Sequence, residues 1–131
     1  MKVKELNLKE CLTAMEYNPS PNRFREEETP VSERTLPIIF TCDNCGNSVT
    51  FRTEDFQKHL QSDFSNLQSE DKKNFDSFRK SQNLASKEFS FLDFYCYDCK
   101  QPTTILFEGW NSGYWGFFEF KIKTVLIGII E

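Results

Sequence analysis

Four of the chain's five cysteines stand in two pairs of identical spacing, Cys42-Asp43-Asn44-Cys45 and Cys96-Tyr97-Asp98-Cys99. Two residues between cysteines let both sulfurs turn toward one point, and two such pairs supply the four thiolates that a tetrahedral ion takes at about 2.3 Å. Gly46 follows the first pair and provides the positive φ such a turn calls for. Lys100 stands at the equivalent place after the second pair, a departure that offers a charge to neutralise thiolates instead. The expected cofactor is one structural Zn²⁺ held by Cys42, Cys45, Cys96 and Cys99. A disulfide scaffold needs an oxidising compartment. A redox dithiol needs its first cysteine at a helix N-terminus, yet Ser48 to Arg52 after the first pair reads as strand. Four thiolates saturate the ion and bring the local charge to −2, whereas catalytic zinc keeps an open position. Cys11, between Leu8 and Leu12, reads as a buried free thiol.

Strand, knuckle, strand, twice over, resembles the zinc-ribbon class, in which two knuckles from separate hairpins clamp one ion. The resemblance covers residues 38–52 and 90–107 and implies a fold element and a metal, not an activity. Fifty residues separate Cys45 from Cys96, so an inserted element is expected between the knuckles.

The surrounding elements must position those turns. The expected fold is α+β: one antiparallel sheet with zinc-ribbon knuckles and an inserted helical segment packed on one face. A single domain spans 1–131, with its ribbon core at about 36–52 and 89–131, a helical insertion at about 53–84, and an N-terminal helix and charged loop over 1–35. Leu8, Leu12 and Met15 recur at helical spacing, while Met1 to Lys4 alternates like a strand lead-in. Asn18-Pro19-Ser20-Pro21-Asn22 ends that element. In the insertion, Phe56, Leu60, Phe64 and Leu67 form one apolar stripe and Phe75 with Phe78 a second. Thr53 or Asp55 is expected to cap the first helix and Ser69 the second. His59, the only histidine, is redundant as a ligand and reads as a boundary residue. From Phe89 onward the pattern is β, with a turn at Asn111-Ser112-Gly113. Phe118, Phe120 and Ile122 alternate with charged residues, and Thr124 to Ile130 loses alternation as though buried on both faces.

Composition narrows the function. The chain has 131 residues, a net charge of −4 and 38% hydrophobic residues, with a mean hydropathy of −0.57. No apolar run nears the ~20 residues that span a bilayer. Met1-Lys2-Val3-Lys4 lacks a signal peptide's apolar stretch, and the one near-sequon, Asn18-Pro19-Ser20, carries proline in the middle; a cytoplasmic protein is expected. Acidic side chains match or outnumber basic ones in each of the segments 1–35, 36–52, 53–82 and 83–131, which disfavours a phosphate-binding face. There is one histidine, no Gly-rich phosphate loop, no Gly-x-Ser-x-Gly elbow and no His-Glu-x-x-His, so an enzyme is not expected. Trp110 and Tyr114 flank a turn in the manner of interface anchors, and Glu26-Glu27-Glu28 offers an acidic surface; these five are the candidate partner-binding residues. The expectation is a non-enzymatic, zinc-stabilised protein-binding module, such as a small acidic inhibitor or immunity protein that neutralises a basic toxin, a nuclease for instance. The alternative is a zinc-ribbon module for nucleic acid or transcription.

Overall fold

The computed structural model describes residues 1–13, 38–60, 64–86, 88–111 and 118–130. In chain order these form β1 (Lys2–Leu6), α1 (Leu8–Cys11), β2 (Leu12–Thr13), β3 (Ile38–Thr41), β4 (Ser48–Phe51), α2 (Thr53–Lys58), α3 (Ser69–Ser81), β5 (Ser90–Tyr95), β6 (Pro102–Asn111) and β7 (Phe118–Ile129). All strand pairings are antiparallel, and the fold is α+β.

The expected single sheet is in fact two, a four-stranded sheet in the order β1-β7-β6-β5 and a three-stranded sheet in the order β2-β3-β4. One knuckle joins β3 to β4 and the other joins β5 to β6, so each belongs to a different sheet. The N-terminal helix is corrected as well. Residues 2–6 are a strand paired with the far end of the chain, Lys2 opposite Ile129 and Leu6 opposite Val125, and only Leu8–Cys11 is helical. The helical spacing of Leu8 and Leu12 arises because a turn and then a strand, with Leu12 opposite Phe40, feed both residues to one core. Met15 and the 18–34 segment lie outside the described residues.

The four-stranded sheet is covered on both faces. Ile105, Phe107, Val125 and Ile127 enter one core with Phe40 and Phe56, while Leu106 and Leu126 enter a second with Phe75, Leu67 and Leu84. Successive strand residues point to opposite faces, so α2 and α3 lie on opposite sides of this sheet rather than together on one. That explains why Thr124 to Gly128 are buried without a break. A bulge opposite Leu106/Phe107 pairs Thr124 with Leu106 and Ile122 with Phe107. The extra residue, Lys123, shifts β7 from even-numbered core positions (Phe120, Ile122) to odd ones (Val125, Ile127).

The insertion's first stripe also divides. α2 stops at Lys58; Phe56 is fully buried, Phe64 is 61% exposed, and Leu67 joins the other core. Asp55 does not cap α2 from the N-cap position, which Arg52 fills; it sits at the third helical position and its carboxylate accepts the Arg52 amide at 2.7 Å. In α3, Ser69 is the first helical residue and Gln68 precedes it as N-cap without a side-chain bond. A tyrosine from β5 serves that end: the Gln68 amide donates to Tyr95 Oη at 2.9 Å, and Tyr95 donates to Asp71 Oδ2 at 2.5 Å. α3 closes with Asn83 at φ 57°, the Leu84 amide donating to the Arg79 carbonyl and the Asn83 amide to that of Lys80. This is the bonding of a Schellman motif, with Leu84 folded into the core behind it.

Candidate metal centre

Each cysteine pair occupies the turn of a β-hairpin, and the two turns have the same bonding. The Cys42 amide donates to the Asn47 carbonyl and the Gly46 amide to the Cys42 carbonyl; the Cys96 amide donates to Gln101 and the Lys100 amide to Cys96. Closing this loop requires a left-handed residue after the second cysteine. Gly46 has φ 77° and Lys100 φ 64°, so Lys100 takes up the glycine conformation. Its ammonium donates to the Tyr97 carbonyl at 3.0 Å and stands 5.3 Å from the centroid of the Tyr97 ring. Both pairs run on into strands, β4 and β6, so neither first cysteine heads a helix as a redox dithiol requires.

The hairpins bring all four sulfurs together. Cys42 Sγ lies 3.5 Å from Cys99 Sγ, and Cys45 Sγ lies 3.5 Å from Cys96 Sγ; all four fall within 4.8 Å of one another. A tetrahedron of thiolates about 2.3 Å from zinc has edges of about 3.8 Å, so the set fits an ion of that size with only small movements. The four cysteines therefore can hold a metal ion, two ligands coming from each sheet.

The surroundings set where charge collects. Burial pushes the Cys42 thiol up to about 12, against the pull of the Cys45 and Asn44 amides. The Asn47 amide draws Cys45 down, but desolvation and the neighbouring Cys96 sulfur outweigh it and leave the thiol above its usual range. Desolvation also acts on Cys99, yet the Asn44 side chain, the Gln101 amide and the thiols of Cys42 and Cys96 together bring it down to about 6. Negative charge is thus favoured at Cys99 and opposed by burial at Cys42, whose proton a cation must displace.

Two supporting residues escaped the sequence reading. Asn44 reaches from the first knuckle to Cys99 on the second. Gln101 is buried, and its Oε1 accepts from Cys42 Sγ at 3.5 Å. Their only signal in the sequence is position, inside one knuckle and just after the other. Such outer partners orient metal-binding thiolates.

The remaining candidates are elsewhere. His59 is half-buried beside Phe64, with ring centroids 6.4 Å apart, and does not belong to the cysteine cluster. Cys11 is buried away from the cluster. Trp110 is 37% exposed on β6, opposite Glu119 of β7. Tyr114 and Glu26, Glu27 and Glu28 lie outside the described residues. No helix among the described residues is long and apolar enough to cross a membrane. Comparison of the chain with protein-family models, curated proteins and solved structures found no match.

Proposed function

We propose that this chain is a zinc-stabilised, non-catalytic protein-binding module, and within that class a small acidic inhibitor of a basic protein, such as an immunity protein neutralising a nuclease toxin. The observation that supports it best is the closed tetrad: Cys42, Cys45, Cys96 and Cys99 converge within 4.8 Å from two hairpins. An ion held by all four has no open position for a substrate or an activated water. Zinc suits four thiolates in tetrahedral array, carries no redox chemistry of its own, and here joins two sheets. Loaded with zinc, the chain's charge moves from −4 toward −6. That charge favours encounter with a cationic partner and opposes phosphate. Trp110, Tyr114 and the Glu26–Glu28 triplet are the proposed contact residues outside the metal centre.

The test pairs this chain with each neighbouring reading frame. Relief of growth arrest by the intact chain, and of nuclease activity by the purified zinc-loaded protein, is the expected result. Absence of relief, together with binding to DNA or RNA that falls steeply with salt, would replace this reading with a nucleic-acid module.

A further inference from the structure

Two sulfur–sulfur contacts at the metal centre cross from one knuckle to the other. Cys42 Sγ stands 3.5 Å from Cys99 Sγ, and Cys45 Sγ stands 3.5 Å from Cys96 Sγ. Each pair takes one sulfur from the β3–β4 turn and one from the β5–β6 turn, and so one from each sheet. The sulfurs of a disulfide lie about 2.05 Å apart, so each pair closes by an approach of about 1.5 Å.

Each pair also joins a sheltered cysteine to an accessible one. Cys42 and Cys96 are 4% and 5% exposed, whereas Cys45 is exposed and Cys99 half-buried. Oxidation by a peroxide starts at an accessible thiolate and is completed by a neighbouring thiolate that resolves the sulfenic acid. Cys45 and Cys99 have the access, and Cys96 and Cys42 stand against them as resolving partners. Cys11 is buried and does not belong to the cluster.

We infer that the tetrad is a site of reversible oxidation by peroxides, in which Cys45 joins Cys96 and Cys99 joins Cys42. In each pair the accessible thiolate attacks a peroxide oxygen. An S–O bond forms, the O–O bond breaks, the sulfur gives up two electrons and hydroxide leaves. The resolving thiolate then attacks that sulfur, an S–S bond replaces the S–O bond, and a second hydroxide leaves. Two peroxides thus consume four thiolates, and the sulfurs that held a cation lose their charge and release it. Each new bond ties one sheet to the other where the ion had joined them. Oxidation is therefore expected to remove the metal without parting the sheets, whereas chelation removes both the metal and the tie. This rests on the zinc-holding reading above and carries it beyond a structural role.

The test treats the purified, reduced, zinc-loaded full-length chain with hydrogen peroxide and follows free zinc, intact mass, disulfide-linked peptides and urea unfolding. The product is expected to have released its zinc, to weigh about 4 Da less than the reduced chain, and to unfold cooperatively still. On denaturation one thiol, Cys11, should remain open to alkylation. Trypsin leaves both cysteines of a knuckle on one peptide, residues 35–52 or 88–100, so the inferred bonds link those two peptides. A second cut before Asp43 and Asp98 separates the cysteines within each knuckle and should yield Cys42 bound to Cys99 and Cys45 bound to Cys96. With limiting peroxide, dimedone should label Cys45 and Cys99 several-fold more than Cys42 and Cys96. Dithiothreitol with zinc should restore the starting form. Unlinked tryptic peptides with a disulfide inside each knuckle, sulfinic acid in place of disulfides, unfolding of the oxidised chain, or full retention of zinc at millimolar peroxide would each overturn the inference. A purified chain that holds no zinc would instead sink the parent reading.

Discussion

Lys100 holds the same left-handed backbone conformation as Gly46, φ 64° against 77°, each directly after the second cysteine of its knuckle. The two turns also share the same pair of backbone hydrogen bonds. One geometry is therefore built once with the residue that adopts it freely and once with one that does not. A Cβ on Gly46 would meet nothing within 4 Å, so substitution there is penalised by conformation alone. Gly46→Ala is expected to cost about 1–2 kcal/mol in the metal-loaded protein. Lys100→Gly is expected to leave stability unchanged or raise it by up to about 1 kcal/mol, because relief of the left-handed strain offsets the added freedom of the unfolded chain. Urea unfolding of both variants with zinc present checks this; a loss above 1 kcal/mol in Lys100→Gly would show that its bond to Tyr97 matters more than its backbone.

Asp93 is 1% exposed, and its carboxylate accepts the Ser65 hydroxyl at 2.5 Å and the Asn66 amide at 2.8 Å. It pins the segment before α3 to the middle of β5. Asp93→Ala leaves those donors without their acceptor and is expected to cost about 2–3 kcal/mol. Two residues on, Tyr95→Phe removes the hydroxyl that serves the start of α3 and is expected to cost about 1 kcal/mol. Amide hydrogen exchange should show the loosening concentrated in 64–72 for both variants, and protection unchanged there would contradict the assignment.

Phe56 carries most of α2's attachment. It is fully buried, stacked on Phe120 with centroids 4.4 Å apart and edge-on to Phe107 at 5.2 Å. Phe56→Ala is expected to cost about 3–5 kcal/mol. Phe64→Ala, on the same sequence stripe but 61% exposed, should change stability by less than about 0.5 kcal/mol. Comparable losses from the two would restore the continuous apolar face.

Burial pushes the Cys11 thiol from its ordinary 9.0 up to about 11. The folded state thus retains a proton that the unfolded chain releases. Its contribution to stability is fully present below pH 9 and is lost as the pH rises through 11. Cys11→Ala, which cannot titrate, should accordingly show a flatter stability profile between those values. An unchanged slope would mean the thiol is not sheltered. Iodoacetamide at pH 8 should leave Cys11 unmodified in the folded protein.

The metal set was legible because it is local: spacing within each pair and the hairpin strands around it announce the knuckles. The alternation of Phe118 to Lys123 likewise marks a strand directly. What escaped is non-local. The alternation of Met1 to Lys4 marks a strand lead-in, but nothing local shows that β1 runs on to Leu6 or pairs with β7, across nearly the whole chain. The opposite placement of α2 and α3 was hinted at by the unbroken apolar run in β7, since a strand buried on both faces needs a layer on each. A buried carboxylate such as Asp93 has no local signature at all, because its partners arrive from a segment 27 and 28 residues earlier.

One ion bridging two sheets is most directly examined by counting metal and thiols together on purified, reduced protein. The expected result is one zinc per chain, no thiol accessible to a mild reagent, and on strong chelation the four knuckle thiols released with the metal, joined by Cys11 as cooperative unfolding is lost. A metal-free protein that still unfolds cooperatively, with its four knuckle thiols open to reagent, would contradict it.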